Sequence, residues 1–135
     1  MLEAVLPPEP LPQTIRSPAK ARALLAPLFA VAESEKVAVL HLSNERRVLA
    51  VSVYPGSTDA ADVPVRDIFA EALRLGSTLL VVAHNHPSGE REPSEADIRT
   101  SRLLAETGRS LGLRLVDHLI FAGTEMTSLR ELGLL

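Results

Sequence analysis

The hydrophobic positions of this chain change period several times, and each change marks an element. Residues 1–16 carry four of the ten prolines and no apolar period, so they read as an extended arm. Ser17-Pro18 then fits an N-cap serine with proline at the first helical position. The following AKARALLAPLFAVAESE predicts a helix, kinked or ended near Pro27. KVAVLHL (36–42) is short, apolar and β-branched, and 47–55 alternates like a second strand, with polar Ser-Asn-Glu making a hairpin between them. After a loop over 55–62, VPVRDIFAEALRLG places Val65, Ile68, Phe69, Ala72 and Leu73 on one helical face, with Pro64 near the start and Gly76 as the stop. STLLVVA (77–83) predicts a central strand, and Ser94 opens a helix to about Leu111, with Gly112 just beyond. LRLVDHLIFAG (113–123) is another strand, and 124–135 a short strand or turn with a terminal helical piece. The fold expected is a single α/β domain over 17–135, a mixed β-sheet flanked by helices.

Composition narrows the class. At 135 residues the chain is about one domain long and can bury roughly two-thirds of its unfolded surface. Hydrophobic residues at 46% and charged residues at 23% are ordinary for a globular domain. No apolar run reaches the roughly 18 residues of a membrane span. The N-terminus lacks the basic start and small-residue cleavage site of a signal peptide. A soluble cytoplasmic domain is expected. The absence of cysteine excludes disulfides, thiolate metal ligands and cysteine nucleophiles. A net charge of −3, scattered arginines, one tyrosine and three phenylalanines argue against a phosphate-binding face or a base-stacking platform.

Candidate chemistry gathers in AHNHPSGEREPSEAD (83–97), which holds two of the four histidines. In an extended backbone, His84 and His86 project to the same side, about 6.6 Å apart along the strand. Two imidazoles so placed can converge on one ion at metal–nitrogen distances of about 2.0–2.1 Å. Asp97 falls in the first turn of the helix that Pro93-Ser94 begins, and can point back to complete the set. A capping box accounts for Ser94-x-x-Asp97 on its own, and His-x-His alone carries little weight. The combination is more specific: His-x-His, seven residues, then Ser-x-x-Asp, between a buried strand and a helix N-terminus. It points to a metal.

The same stretch resembles the metal-binding motif of JAB/MPN-type (JAMM) domains, and its Asn-His-Pro-Ser-Gly form resembles the RadC branch. The likeness extends over residues 18–133. EKVAVLHLSNERRVL is similar to the family's glutamate-led first hairpin, VPVRDIFAEAL to its helix before the site, and GLRLVDHLIFAG to the strand after it. The resemblance implies a cytidine-deaminase-like fold holding zinc, and a hydrolase of the metallopeptidase or isopeptidase type acting on a peptide or protein. It implies His84, His86 and Asp97 as zinc ligands, Ser94 as the active-site serine and Glu35 as the acid/base. Three protein ligands leave tetrahedral zinc one open position, where water loses a proton near pH 7. Spacing alone does not pick Glu35, since Glu33, Glu90 and Glu92 stay open as the base.

His41 and His118 lie inside apolar strands and read as hydrogen-bonded core or edge histidines, outside the ligand set. VDHLI also matches a stretch of the family, which implies that Asp117 or His118 supports the site from behind. Two features depart from the family's pattern. RadC proteins commonly carry a helix–hairpin–helix region before this domain, which a 16-residue arm cannot contain, and peptidase-type members typically have Ser or Thr where Asn85 stands.

Other zinc hydrolases are closed by the residues themselves. A nucleobase deaminase needs Pro-Cys-x-x-Cys and the thermolysin type needs His-Glu-x-x-His, and neither occurs. A non-enzymatic MPN-like module that binds a protein or a DNA-repair partner is the other class left open. On charge alone, the isolated domain should bind duplex DNA weakly, if at all, with affinity falling steeply as salt rises. Tight, sequence-selective binding to a labelled duplex at physiological salt would overturn that expectation.

Overall fold

The computed structural model describes residues 2, 4–6, 13–30, 32, 34–56 and 63–135. Their elements are β1 (Ala4–Leu6), α1 (Pro18–Ala30), β2 (Lys36–Leu42), β3 (Val48–Pro55), α2 (Val65–Leu75), β4 (Leu79–Asn85), α3 (Glu95–Ser110), β5 (Arg114–Ala122) and β6 (Glu125–Ser128). The strands form one mixed sheet in the order β1-β3-β2-β4-β5-β6. Only β4 and β5 run parallel; the other neighbours are antiparallel. A parallel pair needs a crossover, and α3 supplies it. The loop from β4 to α3 therefore opens at the carboxyl end of a central strand, where α/β sheets present their sites.

Alternation along the strands assigns the helices to two faces. Val81 and Ala83 pack with Ala21, Leu25 and Phe29 of α1, which sit four residues apart on one helical face. Leu80 and Val82 pack with Ile68, Phe69 and Ala72 of α2 and with Leu104 of α3. With helices over both faces, β4 reads as an unbroken apolar run. The inner face of α3 changes character along its length: Asp97 and Ser101 come first, then Leu104 and Gly108. A Cβ at Gly108 would stand 2.7 Å from the carbonyl oxygen of Leu113, so glycine lets the chain fold back tightly into β5.

Four elements differ from the pattern's expectation. α1 runs through Pro27, without the bond its amide would give Ala23, and ends at Ala30 rather than near Glu35. β4 extends past the predicted limit at Ala83, because His84 and Asn85 pair with Ile120 and Phe121 of β5. The sheet also takes in part of the N-terminal arm. β1 pairs with β3, Thr14 bridges Arg47, and Ile15 is buried in the α1-side core. Residues 129–133 form turns in place of the predicted helical piece. No described helix is long and apolar enough to cross a membrane.

His41 is the core histidine that the pattern expects. It is fully buried, with Nε2 2.7 Å from Ser52 Oγ and with no partner for Nδ1 among the described residues. Burial lowers its pKa from 6.5 to about 4, with Glu71 opposing the shift and Arg74 adding to it. The unfolded chain therefore takes up this proton first as pH falls. The contribution of His41 is intact above the ordinary histidine pKa and is lost as pH drops toward 4. Urea unfolding should register a decline of up to about 3 kcal/mol from this residue across that window. His41→Gln should flatten that part of the curve; an identical pH slope in the variant would show that the burial is not felt.

Candidate metal centre

The polar end of β4 and the first turn of α3 bring three side chains together. The Nε2 atoms of His84 and His86 are 3.0 Å apart. Asp97 Oδ1 lies 3.3 Å from the first and Oδ2 3.2 Å from the second. One ligand atom from each residue falls within 4.8 Å of the others, a spacing that could hold a metal ion. The sequence-predicted triad is thus assembled from a strand end and a helix start.

Local bonds aim these atoms. His86 donates its backbone amide to Phe121 at 2.8 Å and its Nδ1 proton to the Glu90 carbonyl at 2.5 Å. A carbonyl only accepts, so the proton belongs to Nδ1 and Nε2 presents its lone pair to the cluster. Asp97 is held by a complete capping box. Its amide donates to Ser94 Oγ at 3.0 Å, and its Oδ2 accepts the Ser94 amide at 2.9 Å. One carboxylate can therefore serve both as cap and as candidate ligand, and neither reading displaces the other. Burial acts to raise the pKa of Asp97, but the adjoining His84 ring and the hydrogen bonds from Ser94 outweigh it, holding the carboxyl well below the usual range. Two imidazole nitrogens and one carboxylate oxygen suit zinc and similar borderline ions rather than calcium or magnesium, which prefer all-oxygen shells.

A cavity of about 570 Å³ lies over the cluster, and Glu35, Ser94, Glu90 and Glu92 also line it. Glu35 is the residue just before β2, and its position is fixed through the backbone. Its carbonyl accepts the Gly56 amide at 2.9 Å. Asn85, buried beneath, grips both neighbours: Nδ2 donates to the Ser34 carbonyl at 3.1 Å, and Oδ1 accepts the Lys36 amide at 2.7 Å. A Cβ at Gly56 would press to 3.1 Å on the Glu35 carbonyl carbon and Cβ, so that approach favours glycine. Burial raises the pKa of Glu35; His84 and His86 lower it, and Asp97 raises it further. Of the other glutamates, Glu90 and Glu92 are exposed, and Glu90 Oε1 accepts the Glu92 amide at 3.0 Å. Glu33 lies outside the described residues.

Behind His84 stand His118, one of the two residues that the family resemblance offered as support, and Ser101, which sequence reasoning missed. His118 Nε2 is 2.8 Å from His84 Nδ1, and His118 Nδ1 hydrogen-bonds Ser101 Oγ. His118 is buried; burial and then His84 bring its pKa down to about 3, Asp97 pulling the other way. Asp117 has a different task. It accepts from the His118 amide, Ser128 Oγ and the Arg130 amide, and so pins the C-terminal turn to β5. The signal for Ser101 is its position one helical turn after Asp97 on the same face.

Comparison with known proteins agrees with this geometry. A family model described as RadC-like JAB domain matches residues 15–134. A UPF0758 protein of Chloroflexus aurantiacus is 42% identical over 121 residues, which are 89% of this chain and 53% of the relative. A UPF0758 protein of Acidithiobacillus ferrooxidans is 42% identical over 118 residues, 87% of this chain and 53% of the relative. One from Salinibacter ruber is 36% identical over 122 residues, 90% and 52%. The chain thus spans about half the length of the curated relatives it matches. With the family model covering nearly all of it, the chain belongs to the RadC-like JAB domain family.

Proposed function

We propose that this domain is a zinc-dependent hydrolase of the JAMM metallopeptidase or isopeptidase type, cleaving an amide bond in a peptide or protein. The observation that carries the reading is the convergence of His84, His86 and Asp97 beneath a cavity that Glu35 and Ser94 also line. Zinc, when bound by this triad, supplies Lewis acidity and lowers the pKa of water toward neutrality. The chain supplies the rest. Glu35, with its pKa raised by burial, is a stronger proton acceptor than an exposed glutamate and is suited to take a proton and return it to a leaving amine. Ser94 Oγ accepts the Asp97 amide, so its own proton is free to point at oxygen charge developing in the cavity. Asn85 and Gly56 keep the Glu35 backbone in place, so the proton acceptor and the metal ligands share one rigid frame.

Two predictions test the reading. Purified protein should hold about one zinc per chain after reconstitution, and His84→Ala should abolish binding while far-UV circular dichroism stays unchanged, because β4 is paired through its backbone and the His84 ring belongs to neither apolar core cluster. Metal analysis that finds no zinc in the reconstituted wild type would sink the site.

Glu35→Gln should retain zinc and fold yet lose peptide or isopeptide turnover by about 10²–10⁴-fold, the range of a positioned acid/base. Ser94→Ala should lose less turnover, together with about 1 kcal/mol of stability from the missing cap. Equal turnover by wild type and Glu35→Gln on peptide and isopeptide libraries would transfer the role to another glutamate. A zinc-loaded protein inert on every library would favour the non-enzymatic binding module.

A further inference from the structure

The proton positions on the two ligand histidines are set by different partners. That of His86 follows from one carbonyl. That of His84 depends on a longer chain of contacts, and one set of directions through it leaves the His84 Nε2 lone pair facing the cluster. Ser101 lies one turn after Asp97 on α3, and its hydroxyl is 2.8 Å from the Asp97 carbonyl oxygen. A carbonyl only accepts, so in this contact Ser101 is the donor, and its single hydroxyl proton is assigned there. The lone pairs of Ser101 Oγ then face His118 Nδ1, which must be the N–H of that contact. His118 is 1% exposed and no carboxylate side chain hydrogen-bonds its ring; with its proton on Nδ1, its Nε2 is left as the acceptor facing His84. Across 2.8 Å the only donor available to it is His84 Nδ1–H. The proton of His84 is thereby excluded from Nε2, the atom that faces His86 and Asp97.

We infer that Ser101 and His118 form a tautomer lock, which fixes the proton of His84 on Nδ1 and holds the Nε2 lone pair on the metal position. This rests on reading the triad as a metal centre, and it assigns a positioning role to two residues that touch neither ion nor substrate. The lock also ties the two halves of the site together. Its first acceptor is the backbone of Asp97, so the ligand from α3 and the ligand from β4 are joined through the interior, by way of β5. An imidazole free to exchange tautomers would spend part of its time with a proton facing the ion, and affinity would fall by that fraction. Partners that orient a ligating histidine commonly change metal affinity by about 10–100-fold when removed.

The first measurement is long-range ¹H–¹⁵N NMR of the histidine rings in metal-free wild type, above the ordinary imidazole titration range. The lock requires the His84 proton on Nδ1 and the His118 proton on Nδ1. A His84 proton on Nε2 would overturn it, whether or not zinc binds. The second measurement is zinc affinity by competition with a chelator. His118→Phe keeps ring volume but offers no acceptor, and should bind zinc about 10–100-fold more weakly. His118→Gln places an amide oxygen near the former Nε2 and should recover most of that affinity. Ser101→Ala should give an intermediate loss, with mixed tautomers in the His84 signals. If His118→Phe does not fold, the Gln and Ala variants and the wild-type NMR still decide the matter. Wild-type affinity in folded His118→Phe, beside complete loss in His84→Ala, would leave the metal centre standing and remove the lock.

Discussion

Two imidazole nitrogens and a carboxylate turned toward one another at 3.0–3.3 Å are the contact on which this domain is organised. Lone pairs so arranged repel unless a cation holds them, and taking a carboxylate out of water costs several kcal/mol without compensation. The fold supplies compensation from every side. The Ser94 amide stabilises the charge of Asp97, the Glu90 carbonyl turns His86, and the His118–Ser101 pair backs His84. β4 is paired on both edges and covered on both faces, and this packing holds the strand end that carries His84.

Asn85 shows how economically this end of β4 is used. The residues on either side of it face the metal position, while its own side chain reaches under the strand and grips the peptide groups around Glu35. The amide needs both a donor and an acceptor to do this, and it has both. A serine or threonine there would have one shorter hydroxyl for the two contacts. The residue that departs from the peptidase-type pattern is therefore engaged with the backbone that carries Glu35.

Much of this was legible in the sequence because the signals are local. The start of α3 is written in Pro93-Ser94 and in the reciprocal bonds of Ser94 and Asp97, and the face of α2 in Ile68, Phe69 and Ala72. The triad follows from a period-two pair and a first-turn acid. What was hidden depends on neighbours far along the chain. β1 is three residues that acquire meaning only when β3 offers its edge, and Ile15 becomes core only beneath α1. Which of Asp117 and His118 supports the site stayed open until the parallel pairing of β4 with β5 set His118 beside His84. Ser101 drew no reading from the sequence, because its contact with His118 exists only once α3 packs on β5. Glu35 was nameable only by resemblance, since its place follows from the amide of Asn85 and a close glycine.

The shared use of the Asp97 carboxylate has a consequence for how the domain comes apart. The same oxygen that faces His86 also terminates the helix by accepting the Ser94 amide. Fraying of the first turn of α3 must therefore withdraw a ligand, and any ion bound at the triad must oppose that fraying by mass action. Amide exchange in the first turn of α3 and protease cutting in the exposed 88–92 segment then become gauges of occupancy, slowing as the ion concentration rises. An ion held at the triad would in this sense clamp the neighbouring loop, making local breathing and metal capture one equilibrium.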